Sequence, residues 1–310
     1  MEYRELGKTG MKLSSLSFGA SSLGGVFHDI SEKDGIKAVN VAIDNGVNFI
    51  DVSPYYGFTK AETVLGKALK KIPREKYFLS TKVGRFGADG VKSWDYSGER
   101  AKKSVYESLE RLNIDYIDLI NVHDIEFSDL QQVINETLPA LHEMKAKGLV
   151  NHIGITGLPL AKLKYVVENT PKGTVESILS FCHYCLNDDA LVEYIPFFEA
   201  HEIGIINASP LSMGLLSERG WPDWHPAEDV LKEQVVKAVN HCKSKGYRIE
   251  QLAMKFSVTN PKITTTLVSS ANPENYLRNI QWIDEPQNET LLKEVLDILK
   301  PVSRLTWENT

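Results

Sequence analysis

Asp51, Tyr56, Lys82 and His123 supply a carboxylate, a phenol, an ammonium and an imidazole, and each stands just after a short apolar run: VNFI (47–50), YFLS (77–80) or YIDLI (116–120). A phenol ordinarily ionises near pH ~10, but an adjacent ammonium favours the phenolate, and a carboxylate can hold that ammonium in place. Tyr56 beside Lys82 and Asp51 could therefore give or take a proton near neutral pH, while His123 orients a carbonyl or hydroxyl oxygen. A proton relay around one oxygen needs a partner that moves two electrons to or from carbon. Cys182, Cys185 and Cys242 lack a second Cys or His pair at zinc spacing, so no metal site is expected, and the three read as buried free thiols. The expected carrier is a nicotinamide nucleotide. Taken singly, Asp51 reads as a turn former, Lys82 as a solvated lysine, His123 as a strand-end histidine and Tyr56 as a packing aromatic. Their common place behind strand runs is what groups them.

The elements that must position these residues alternate along the chain. Strand runs fall at 16–20 (LSFGA), 47–50, 77–80 and 116–120, then at VNHIGIT, ESILSF, IGIINA and TTTLV near 150, 176, 203 and 264. Helical spacing is read at 31–46, capped by Ser31 and stopped by Gly46, and at 60–71, 98–112, 128–147, 159–169, 188–201, 228–245 and 273–281. Eight strand–helix units predict a (β/α)8 TIM barrel, in which polar groups at the carboxyl ends of strands converge on one pocket. Two strand-like pieces around Gly7 and Gly10 predict an N-terminal β-hairpin, and a further helix at 288–300 with its tail packs across the barrel. No Pro/Gly linker interrupts the 310 residues, which read as a single domain. The doubly wound alternative lacks its G-x-G-x-x-G signature, since the loop after the first strand reads GASSLGG.

A net charge of −6 provides no basic face for nucleic acid. No apolar stretch approaches the ~20 residues that span a bilayer. The start MEYRELGKTG lacks the apolar core of a signal peptide, which makes the cytoplasm the expected location. Without a coiled-coil repeat or a long apolar stripe, a monomer or weak homodimer is expected.

The run NFIDVSPYYG, followed by AETVLGKAL, STKVG and DLINVHD, resembles the aldo-keto reductase superfamily over essentially the whole chain. The resemblance implies a catalytic tetrad of Asp51, Tyr56, Lys82 and His123, with Tyr56 as general acid or base. The segments FGASSLGGVF, HDIEF, IGITGLPL, CHYCLND and ASPLSMGLL resemble its aldose-oxidising plant members. That implies NAD-dependent oxidation of a sugar, L-galactose, at C1 to the 1,4-lactone, a step of ascorbate synthesis. An NADPH-dependent aldehyde or ketone reductase and a cofactor-sensing binding subunit are the alternatives.

By the same resemblance the cofactor falls on Thr156, Ser180, Ser209, Leu211, Met213, Ser269, Ser270, Asn275, Arg278 and Asn279. The chain reads Thr156-Gly157 where the family has a Ser/Thr-Asn pair, and Ser180-Phe181 without the usual Gln. Ala208 stands where a tyrosine often stacks on the nicotinamide. NADP-using members carry a lysine and an arginine at the places of Ser269 and Asn275, so NAD is the expected cofactor. His28, Trp94, Trp224 and Trp307 are the candidate substrate contacts.

Overall fold

The computed structural model describes residues 1–26 and 29–307, and His28 lies outside them. A two-stranded antiparallel hairpin, β1 (Tyr3–Glu5) and β2 (Lys12–Ser14), precedes a closed parallel barrel. The barrel runs β3 (Leu16–Gly19), β4 (Phe49–Asp51), β5 (Phe78–Val83), β6 (Ile117–Val122), β7 (Val150–Gly157), β8 (Ser177–Phe181), β9 (Gly204–Ala208) and β10 (Thr265–Ser269), which returns to β3. β6 is buried at every position, because helices cover the outer face while side chains fill the interior. The hairpin closes the amino end: Leu6, Met11 and Leu13 pack on Phe49, Leu119, Leu179, Ile206 and Leu267. It sits so close that a Cβ on Gly7, whose φ is +53°, would lie 2.5 Å from the Gly204 nitrogen.

The ring contains α1 (Glu32–Asp44), α2 (Lys60–Leu69), α3 (Gly98–Leu112), α4 (Leu130–Gln132), α5 (Leu138–Ala146), α6 (Leu160–Glu168) and α7 (Leu191–Ala200). α3 illustrates the local logic. Ser97 caps it by accepting from the Arg100 amide at 3.2 Å, Asn113 ends it at φ 57°, and Ala101, Ser104, Val105, Ser108 and Leu112 form the buried stripe. The single helix expected at 128–147 is interrupted by a π turn at Val133–Thr137, just before Pro139. Proline has no N–H to offer the preceding turn, and the wider turn absorbs the break.

Between β9 and β10 lie two helices, where the sequence suggested one: α8 (Asp229–Ser244) and α9 (Ile249–Ser257). α8 packs on α11 (Glu289–Leu299), making those two the accessory pair. α9 stands beside α10 (Pro273–Asp284) and serves as the true crossover. No helix among the described residues is long and apolar enough to cross a membrane.

At the base, the Glu176 carboxylate accepts from Lys145 Nζ (2.7 Å) and the Ile153 amide (3.0 Å) and meets His152 Nδ1 (2.8 Å), joining β7 to the start of β8. Burial alone would raise this carboxyl, but His152 and Lys145 hold it at about 2 against an ordinary 4.5. A depressed carboxyl stabilises the fold above its unfolded pKa, and that contribution is lost as pH falls through the folded one. The stability gap between wild type and Glu176→Gln, read from urea midpoints, should therefore narrow as pH drops from 4.5 towards about 2. A gap independent of pH across that window would contradict the assignment.

Candidate active site

Asp51 and Lys82 lie within the last residues of β4 and β5, Tyr56 in the loop after β4, and His123 one residue beyond β6. Asp51 pairs across the ladder with Ser80 and Lys82 with Asn121, so neighbouring strands deliver these side chains to one rim. Lys82 Nζ donates to the Asp51 carboxylate and to Val52 O, the latter at 2.9 Å. Its ammonium lies 4.9 Å from the centre of the Tyr56 ring. The Tyr56 and His123 rings meet edge to face, 5.7 Å apart.

Lys82 is 1% exposed, yet it stays charged: burial would push its proton off, and Asp51 and Tyr56 outweigh that, raising it above its ordinary value. Burial also raises the Tyr56 phenol, and Lys82 recovers only part of the shift. The lowering expected from Lys82 alone is thus overturned, because burial outweighs the ammonium and the Asp51 and Asp124 carboxylates add to the rise. Burial, opposed by Asp124 but reinforced by Lys82 and Arg85, holds His123 well below the ordinary histidine value and keeps it neutral.

The tautomer of His123 follows from proton counting. Ser53 Oγ is fully buried, accepts from the Tyr55 amide at 3.1 Å and lies 3.0 Å from His123 Nδ1. Among the described residues its own proton has His123 as the acceptor; the opposite arrangement would leave a buried hydroxyl proton unpaired there. Nδ1 therefore accepts, and Nε2 carries the hydrogen towards the pocket.

Three neighbours of the tetrad escaped the sequence reading: Ser53, Arg85 and Asp124. Asp124 takes a left-handed backbone (φ 44°), its amide donates to Thr156 Oγ1 (2.8 Å), and Thr156 Oγ1 donates back to Asp124 Oδ1 (3.0 Å). The Tyr96 hydroxyl donates to His123 O at 2.7 Å. Arg85 donates to the other Asp124 oxygen, and its guanidinium lies 4.0 Å from the Tyr55 ring and 4.2 Å from Trp94. The polar residue directly following His123 was the available signal.

Trp94 is therefore brought to the tetrad through Tyr55, 6.1 Å away centre to centre. Trp224 and Trp307 instead gather around His225, at 6.5 and 5.0 Å. The residues chosen for a cofactor occupy the rim over β7 to β10. Ser209 (φ 59°) and Met213 (φ 52°) turn left-handed on either side of Leu211, the Oγ of buried Ser180 has no protein partner among the described residues, and Asn279 is buried. Thr156 is engaged with Asp124, and the Ser269 hydroxyl bonds to Ser22 Oγ and the Ser22 amide, both at 2.8 Å. Ser270 accepts from the Asn272 amide at 3.2 Å, and Asn272 caps α10 through the Asn275 amide at 2.9 Å. The left-handed turns and the orphaned Ser180 hydroxyl suit a dinucleotide, whereas the Asn275 amide is already taken by its cap.

Residues 15–299 match the model of the Aldo/keto reductase family. L-galactose dehydrogenase of Arabidopsis thaliana is 46% identical over 313 residues, spanning 99% of this chain and 97% of that protein. D-arabinose 1-dehydrogenase of Saccharomyces cerevisiae is 32% identical, over 71% of this chain and 68% of its own. The holo form of an aldo-keto reductase from Bacillus halodurans superposes with a TM-score of 0.81 at 24% identity, covering 100% of this chain and 99% of that one.

Two glycines brace Tyr56 from behind. A Cβ on Gly24 would lie 2.6 Å from the Tyr56 carbonyl, and one on Gly57, whose φ is +60°, would lie 2.2 Å from Gly24 O. Gly24→Ala should therefore displace Tyr56, lowering kcat by at least ~10-fold while the circular dichroism spectrum is retained, since ångström-scale misplacement of a reacting group costs up to ~100-fold. Unchanged turnover would show that this contact does not set the position of the phenol.

Proposed function

The chain belongs to the aldo/keto reductase family, and from that premise we propose that it oxidises L-galactose at C1 with NAD, forming the 1,4-lactone on the route to ascorbate. The sugar rests on one observation, the 46% identity to L-galactose dehydrogenase along 99% of the chain. The reaction type rests on the convergence of Asp51, Tyr56, Lys82 and His123. Bound NAD supplies the hydride acceptor. The chain supplies the proton chemistry: Tyr56 accepts the hydroxyl proton of C1, Lys82 stabilises the phenolate, Asp51 fixes Lys82, and His123 Nε2–H holds the same oxygen. The hemiacetal closed through O4 loses one hydride from C1 to NAD and one proton from O1 to Tyr56, giving the 1,4-lactone, reduced cofactor and a proton.

Tyr56→Phe should lower kcat by at least ~100-fold, the scale of lost general acid–base catalysis, with NAD binding retained. In wild type, kcat/KM for oxidation should keep rising from neutral pH to about 10, because the phenol must be deprotonated to accept a proton and its burial raises its pKa. A flat profile or an active phenylalanine variant would refute the role of Tyr56.

NAD rather than NADP follows from the charges around α10. Ser269 and Asn275 are neutral, and the nearby Arg278 donates to the Asn275 side chain with its guanidinium 5.5 Å from the Trp282 ring. A 2′-phosphate would find no lysine or arginine at those two positions, and charge-assisted contacts are worth roughly 1.5–3 kcal/mol each. We expect kcat/KM with NAD to exceed that with NADP by at least ~10-fold, about 1.4 kcal/mol, when L-galactose, L-fucose and D-arabinose are compared. Equal or better use of NADP would favour an NADPH-dependent reductase instead.

A further inference from the structure

His123 Nε2 and Asp124 Oδ2 lie 3.6 Å apart, beyond hydrogen-bonding distance, at the rim where Tyr56 stands. The Ser53 contact leaves Nε2 as a donor, and Asp124 Oδ2 is an acceptor. A donor and an acceptor side by side, unable to satisfy each other, present the complement of two adjacent hydroxyl oxygens: one accepts from Nε2–H and the next donates to the carboxylate.

Asp124 is built to stay in that place. Its backbone is left-handed (φ 44°), a conformation that persists where surrounding contacts over-determine it. Those contacts are the Thr156 hydroxyl on its amide and on Oδ1, the Tyr96 hydroxyl on the preceding carbonyl, and Arg85 on Oδ2. Burial acts to raise its carboxyl, and the Arg85 guanidinium and the Thr156 hydroxyl oppose that rise. A carboxylate oxygen offers more than one lone pair, so the bond from Arg85 leaves Oδ2 able to accept another hydrogen.

We propose that His123 and Asp124 together read a vicinal diol: the reacting oxygen on C1 takes Nε2–H, and the hydroxyl on the neighbouring carbon donates to Asp124 Oδ2. This rests on the aldose-oxidising reading and goes beyond it. Asp124 becomes a specificity-determining residue, Arg85 the group that positions it, and the selected substrate class is sugars and polyols carrying a hydroxyl beside the reacting carbon. A bare aldehyde, alcohol or 2-deoxy sugar leaves the carboxylate unpaired.

The test compares an aldose with its 2-deoxy analogue in wild type and in Asp124→Asn. Wild type should favour the aldose in kcat/KM by at least ~10-fold, the scale on which a site built for a hydroxyl rejects its absence, and the variant should lose most of that preference. Equal losses on both sugars in the variant would make Asp124 only a support for His123 and overturn the proposal. So would a wild type indifferent to the 2-hydroxyl. A second measurement separates this proposal from the aldose reading. With the NADH-loaded protein, which cannot oxidise an alcohol, cis-1,2-cyclohexanediol should bind more tightly than cyclohexanol by ligand-observed NMR, and Asp124→Asn should remove the difference. If wild type oxidises no aldose, the substrate assignment falls while this comparison still decides whether a diol is read; equal binding of the two alcohols by wild type overturns it.

Discussion

A lysine 1% exposed inside a barrel is tolerable only because Asp51 and the Val52 carbonyl take its hydrogens. Much of the upper barrel is arranged around that bond. β4 must end where β5 can reach it, the loop after β4 must bring the Tyr56 ring over the ammonium, and Gly24 and Gly57 must lack side chains so that the loop can lie against the turn after β3. Removing either partner would leave an unpaired buried charge.

The floor follows a different rule. There Leu6, Met11 and Leu13 of the hairpin seal the barrel by packing on Phe49, Leu119, Leu179, Ile206 and Leu267, with Gly7 and Gly204 allowing the backbones to touch. Polar chemistry at the carboxyl end and close packing at the amino end divide the barrel into a face that works and a face that holds.

That division explains what could be read from the sequence. Parallel strands covered on both sides appear as continuous apolar runs, so the eight strands and the residues at their ends stood out. α9 did not, because RIEQLAMKFS is short and follows a longer amphipathic helix that already satisfied the expected crossover. The tetrad was legible because each member sits beside a strand run; Ser53, Arg85 and Asp124 were not, because their roles depend on contacts between loops from different strands. Trp94 and Trp307 were chosen for the same chemical reason, and only the geometry separates them: one packs near Arg85 and Tyr55, the other against His225. The field at Tyr56 was misjudged because burial, which outweighs Lys82 there, leaves no mark on a local motif.

Seen together, the pocket contains two ion pairs with a neutral imidazole between them: Lys82 with Asp51, and Arg85 with Asp124. Each pair is internally compensated, which lets both lie buried without a net charge that would repel or trap a neutral ligand. Their cations lie close enough to help keep His123 unprotonated, and Ser53 fixes which nitrogen bears its hydrogen. His123 can then donate to an oxygen without competing as an acid. The Lys82 pair is directed at the proton on Tyr56 and the Arg85 pair at whatever oxygen lies beyond, so one histidine orientation serves both chemistry and selection. A change at either pair should therefore be felt at the other through His123, as expected for groups sharing one partner in a buried network.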